Sequence, residues 1–149
     1  MKILLDADSC PKVARELVIR RAVKMSLRII LAANRPIPAS PGAEMEICPK
    51  KENSADDRIV ELAEKGDLVI TRDVPLAKRL VEKDVSVMDD RGRVFTGNNI
   101  NELLSLRNFA VDLADSGLGT ERIANYGKKE LKSFADSLDR SLAKITRGF

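Results

Sequence analysis

The chain has 149 residues, 44% of them hydrophobic and 33% charged, which suits one soluble domain with its own core. Lys and Arg number 26 against 23 for Asp and Glu, a net charge of +3 that permits a nucleic-acid partner without requiring one. There is no histidine, which excludes Ser-His-Asp and Cys-His catalysis, histidine-ligated zinc and imidazole proton shuttles. Two cysteines cannot build a structural zinc site alone, and 3% aromatic residues leave too few rings for a base-stacking platform. No run of about 18 apolar residues is present. The first apolar stretch ends at Asp6, too early for a signal peptide. A cytoplasmic protein with reduced thiols and no membrane partner is expected.

In chain order, Ile3–Leu5 reads as a buried strand ended by Asp6. A helix follows, with Asp8 or Ser9 as its N-cap and Pro11 in its first turn. Leu27–Ala32 is a second strand, Asn34–Gly42 a proline-rich loop and Met45–Cys48 a short strand. Ser54 opens a second helix, and Asp57 three residues on makes a capping-box variant. Leu68–Thr71 is the clearest strand. Asp73 caps the next helix, which carries Pro75 and runs to about Lys83. Val85–Met88 is a strand, Asp89–Arg93 a turn, and Val94–Phe95 closes a hairpin. Asn99–Leu113 reads as a helix with Ile100, Leu103, Leu104 and Leu106 apolar, and Ser116–Gly119 as a break. Lys128–Ile145 is an amphipathic helix with Leu131, Phe134, Leu138, Leu142 and Ile145 on one side. The last 30 residues can pack on the core, swap into a partner or act as a lid, and a homodimer is compatible with the amphipathic helix.

Apolar strands alternating with helices predict an α/β fold, a three-layer sandwich with a mostly parallel central sheet and helices on both faces. One domain is expected over 1–149, with a core over 1–115 and a helical C-terminal extension over 116–149.

Ligands of open α/β sheets bind beyond the carboxyl ends of the strands, and this chain puts acids there. Asp6 and Asp8 follow the first strand, Asp73 follows Leu-Val-Ile-Thr, and Asp56 and Asp57 open the helix before it. Caps and turns account for some of these acids on their own, Asp73 and Asp57 most easily. Asp6 directly after a buried strand needs a partner to offset its desolvation. If Asp6, Asp56 and Asp73 meet, two charges about 4 Å apart repel by roughly 4 kcal/mol at an effective dielectric of about 20. Protons or a cation must offset that, and oxygen ligands select Mg²⁺ or Mn²⁺.

The strings LLDADSCP, SADDRIVELAEKGDLVITRDVPLAKRLVEK and DDRGRVFTGNNINELLSLRNF, in that order, resemble the YaiI/YqxD family of bacterial proteins, which is grouped with the PIN-like (NYN/PIN) domains. The resemblance implies a PIN-like fold and a metal-dependent nuclease acting on RNA. It aligns Asp6, Asp56 and Asp73 with that group's acids, Asp56 in preference to Asp57, and adds Asp8 from the family's own motif. Those four would be the catalytic and metal-holding residues for Mg²⁺ or Mn²⁺. Ser9, Arg15, Asn34, Thr71 and Arg72 are candidates for contacting substrate, the arginines through phosphate.

Two other readings compete. Asp6-x-Asp8 after a strand also resembles the nucleophile motif of haloacid-dehalogenase-type phosphatases, with Thr71 and the Asp89-Asp90 pair in supporting places. A non-catalytic module binding RNA or a protein is the third reading. Arg20, Arg21, Lys78, Arg79 and Arg93 would then be among its phosphate-tracking residues. Cys10 at a helix start and Cys48 read as core residues, and Tyr126 as packing for the last helix.

Overall fold

A computed structural model describes residues 1–37, 41–50, 54–115 and 126–147. The strands are β1 (Lys2–Asp6), β2 (Arg28–Ala33), β3 (Ala43–Ile47), β4 (Leu68–Ile70), β5 (Ser86–Met88) and β6 (Val94–Phe95). The helices are α1 (Lys12–Lys24), α2 (Ser54–Leu62), α3 (Val74–Glu82), α4 (Ile100–Asp115) and α5 (Lys128–Thr146). The strands form one sheet in the order β3-β2-β1-β4-β5-β6. All neighbours are parallel except β5 and β6, which form the hairpin. The fold is therefore an α/β three-layer sandwich around a mostly parallel sheet.

The alternation of side chains along each strand decides which layer they feed. Ile3, Leu5, Ile29, Leu31, Ile70 and Met88 point to one face, where α1 and α5 cover them with Leu17, Val18, Phe134, Leu138 and Leu142. Leu4, Ile30, Val69 and Val87 point to the other, covered by α2, α3 and the start of α4 through Ile59, Leu76, Leu80 and Ile100. The last helix thus packs on the core, the first of its three expected options. The break read at Ser116–Gly119 lies outside the described residues. Among the described residues no helix is long and apolar enough to cross a membrane.

Several local expectations change. The N-cap position of α1 is Pro11, not Asp8 or Ser9, and it makes no side-chain cap bond. Both candidates are drawn elsewhere: Asp8 Oδ2 accepts from the Asn34 N–H, and the Ser9 hydroxyl donates to Asp6. Ser54 is the first residue of α2 rather than its cap, so it forms no capping box with Asp57. Its hydroxyl donates to Pro49 O and Asn34 Oδ1, while Asp57 pairs with Arg79. Leu106 is 58% exposed, not part of the packed face. Residues 105–112 are all exposed, so α4 beds on the sheet only through its first turns. Asp73, by contrast, caps α3 as read, its Oδ1 accepting from the Leu76 N–H at 3.0 Å.

Candidate active site

The strand order reverses between β1 and β4, because β1 leads to β2 and β3 on one side and β4 to β5 on the other. A crevice opens at the carboxyl ends of strands that part in this way. Asp6 ends β1 and Thr71 follows β4, and the two continue the register of Leu5 with Ile70. Leu4 and Val69 face the α2/α3 layer, so Asp6 and Thr71, two residues further on, turn the same way. That parity is why residues from α2 and α3 can reach them.

Thr71 Oγ1 donates to Asp6 Oδ2 at 2.9 Å and accepts from the Asp73 N–H at 3.0 Å. Ser9 Oγ donates to Asp6 Oδ2 and to the Asp6 carbonyl, both at 3.2 Å. One oxygen of Asp6 is therefore committed and Oδ1 is the one left to the crevice. Asp73 is likewise half-committed, since Oδ1 caps α3. Asp56, in the first turn of α2, completes the group from the third side. Asp6, Asp8, Ser9, Asn34, Ser54, Ala55 and Asp56 line a cleft of about 260 Å³. A larger cavity, about 420 Å³, lies along α1 between Glu16, Ile19, Arg20, Val23, Lys24 and Pro41, away from these acids.

The electrostatics separate these acids from their neighbours. Burial pushes the Asp6 carboxyl up, and Asp73 and Asp8 add to the rise against the opposing hydrogen bonds from Thr71 and Ser9. Asp56 is pushed up to about 7, first by burial, then by the charges of Asp73 and Asp6. Among the described residues Asp6, Asp56 and Asp73 make no ion pair, whereas Asp8 meets Arg35 at 3.8 Å and Asp57 meets Arg79 at 2.9 Å. Asp67 shows what a purely structural buried acid looks like in this fold. At the opposite edge of the sheet, its two oxygens accept from the Lys2 backbone and ammonium and from the Glu64 N–H.

Among the described residues no three His, Cys, Asp or Glu side chains stand ready-made to hold a metal ion.

The remaining candidates divide. Asn34 joins the cleft, its N–H on Asp8 and its Oδ1 accepting from Ser54. Arg15 and Arg72 do not line the cleft. They lie on the α1/α5 side, near the buried Cys10 thiol. Burial raises that thiol to about 12, the opposite of what a helix start does to an exposed cysteine.

Arg72 Nε donates to Asp90 Oδ2 at 2.7 Å, a pair the sequence reading missed. No spacing rule links positions 72 and 90. The signal was available in the strand pairing, because Ile70 and Met88 are register partners and each residue stands two beyond its partner. The loop after β5 explains its own composition. Asp89 Oδ1 accepts from the Arg91 and Arg93 N–H groups, which closes the turn. Gly92 has φ +92° and packs so close to α5 that a Cβ would stand 2.6 Å from the Ser133 carbonyl oxygen. The Tyr126 hydroxyl donates to the Asp90 carbonyl.

With this geometry in view, the comparisons with known proteins are specific. The family model described as "Uncharacterized BCR, YaiI/YqxD family" matches residues 4–144. The chain belongs to the YaiI/YqxD family. A relative named UPF0178 protein from Treponema denticola is 47% identical over 147 residues, covering 99% of this chain and 95% of the relative. Another UPF0178 protein, from Treponema pallidum, is 45% identical, with 99% of this chain and 84% of the relative covered. A third, from Pseudomonas aeruginosa, is 42% identical over 99% of this chain and 93% of its own. No solved structure matches the chain. The YaiI/YqxD match takes in every acid of the cleft and most of α5.

Proposed function

We propose that this YaiI/YqxD protein is a divalent-metal-dependent phosphodiesterase acting on RNA, on a PIN-like scaffold. The observation that carries the reading is the approach of Asp6, Asp56 and Asp73 from β1, α2 and the β4–α3 turn: burial first, and then Asp73 and Asp6, raise the Asp56 carboxyl to about 7. Asp6 is buried and Asp56 and Asp73 are half-buried, none of them with a paired cation among the described residues, and acids perturbed by burial and by one another beside a cleft are candidates for function. The donor set is all oxygen, which suits Mg²⁺ or Mn²⁺.

Asp6 through Oδ1, Asp73 through Oδ2, and Asp56 would hold the cation, with Asp8 on the rim orienting water. When bound, the cation would acidify a water and neutralise charge on the phosphoryl oxygens. The protein's own groups do the rest. Thr71 and Ser9 hold Asp6 in one rotamer, and Asn34 fixes the cleft wall beside Asp8. Phosphate would approach from the side of Arg72 and Arg15. The absence of histidine leaves the carboxylates and water as the proton acceptors.

The test is cleavage of single-stranded RNA with Mn²⁺ by wild type and by Asp6→Asn. Cleavage by the wild type and its loss in the variant are expected. Equal rates in both, or an inactive wild type, would remove the assignment.

A further inference from the structure

The acids of the cleft occupy the α2/α3 side of the sheet's carboxyl edge. The α1/α5 side of the same edge carries a second arrangement, built on Arg72 and Asp90. The Asp90 side chain is 2% exposed and that of Arg72 is 44% exposed. The bond between them uses the guanidinium Nε alone. Among the described residues nothing accepts from the two Nη groups, and the side chain is part-exposed at the carboxyl edge of the sheet. Asp90 itself is held from behind: its carbonyl accepts from Tyr126, and its neighbour Asp89 closes the turn.

Asp90 is also oddly satisfied. Its Oδ1 is buried and has no hydrogen-bond partner among the described residues. Buried polar atoms are almost always paired, and an exception needs a reason. A bidentate pair using both oxygens would satisfy Asp90 better, but it would bring one Nη group into the contact and turn the guanidinium inward. The observed geometry sacrifices one carboxylate bond and keeps a two-pronged donor pointing out.

We propose that Asp90 is a positioning residue that presents the Nη edge of Arg72 to a backbone phosphate of a single-stranded nucleic acid lying across the cleft. The inference rests on the phosphodiesterase reading for the direction of approach. It adds which cation takes the phosphate and what holds that cation in place. Two N–H groups on one planar head match two phosphate oxygens, which a lysine cannot do.

The experiment measures binding apart from cleavage. Fluorescence anisotropy of a labelled oligouridylate in Mg²⁺, over a salt series, is recorded for wild type, Asp90→Asn, Arg72→Gln and the double variant, with melting temperatures alongside. Asp90→Asn and Arg72→Gln are each expected to weaken binding by about tenfold and to flatten the log–log salt slope by about 0.7, one phosphate contact on a single strand. The double variant binds no worse than either single one, because both remove the same contact. A loss of binding at a melting temperature close to that of the wild type separates positioning from folding. A structural strap would instead lower the melting temperature and leave the salt slope alone.

Wild-type slope and affinity in Asp90→Asn would overturn the inference. So would a loss of binding in that variant that tracks unfolding, with Arg72→Lys binding as well as wild type. Failure of the phosphodiesterase reading looks different: wild type binds the oligouridylate with the arginine-dependent slope but yields no product with Mn²⁺. A wild type that does not bind removes both.

Discussion

Arg72 and Asp90 stand in register: Ile70 pairs with Met88 across β4 and β5, and two residues beyond each lie the guanidinium and the carboxylate, 2.7 Å apart. Asp6 and Thr71 repeat the relationship one residue beyond Leu5 and Ile70, at 2.9 Å. Parallel strands end at one edge, so consecutive residues leaving neighbouring strands meet in rows. Alternation sends one row to each side of the sheet. The acid-and-hydroxyl row faces α2 and α3, and the arginine-and-acid row faces α1 and α5.

Asp73 has two separable duties, and two substitutions split them. Asp73→Ala removes the cap on Leu76 N–H and should cost about 1 kcal/mol in urea unfolding. Asp73→Asn keeps an oxygen for the cap and should stay near wild-type stability. Both should lose the Mn²⁺-induced rise in melting temperature, because a ligand bound only by the folded state stabilises by mass action. A full Mn²⁺ shift in Asp73→Asn would take Asp73 out of the proposed cation site.

Stability without metal should fall as pH rises from about 4 towards about 7. Burial and the neighbouring acids raise the Asp56 carboxyl in the folded state to about 7, well above the ordinary aspartate range, and Asp6 is raised too. In that window the folded state binds more protons than the unfolded one, so the slope of unfolding free energy with pH is negative. Cation binding needs the carboxylates ionised, so the Mn²⁺-induced gain should grow from about pH 6 to about pH 8. Asp56→Asn should flatten both trends. A metal-free melting curve that rises over the same window in wild type would contradict the account.

Thr71 is a hinge of hydrogen bonds rather than a surface hydroxyl. Thr71→Val keeps the shape but leaves the Asp73 N–H without its acceptor and Asp6 Oδ2 without its shorter donor. A loss of about 1–3 kcal/mol in chemical denaturation is expected. Thr71→Ser, which keeps both bonds, should recover most of it. Equal stability of the two variants would show that the hydroxyl carries none of this load.

Two leucines on amphipathic helices should behave oppositely. Leu138 is fully buried in the α1/α5 layer, so Leu138→Ala should cost about 2–5 kcal/mol. Leu106 on α4 is 58% exposed, and Leu106→Ala should change stability by no more than about 0.5 kcal/mol. A small loss at Leu138 would mean that α5 does not share the core of the sheet.

The amino-acid sequence by itself determined the elements and their alternation. Apolar runs at Ile3–Leu5 and Leu68–Ile70 made strands because short uninterrupted hydrophobic stretches suit a sheet buried on both faces. Asp73 was legible as a cap because its partner is three residues away. Asp8, Ser9 and Ser54 were read as caps by the same local logic, and there tertiary structure decided otherwise. Asn34 offered Asp8 and Ser54 a partner distant in the chain, while Ser9 turned back to Asp6 and Ser54 to Pro49. Tertiary structure alone joined Arg72 to Asp90, turned Asp56 towards Asp6 while Asp57 went to Arg79, and left Leu106 in solvent. Each of those outcomes depends on which strands lie side by side and how far a helix overhangs the sheet. Local periodicity carries no information about either.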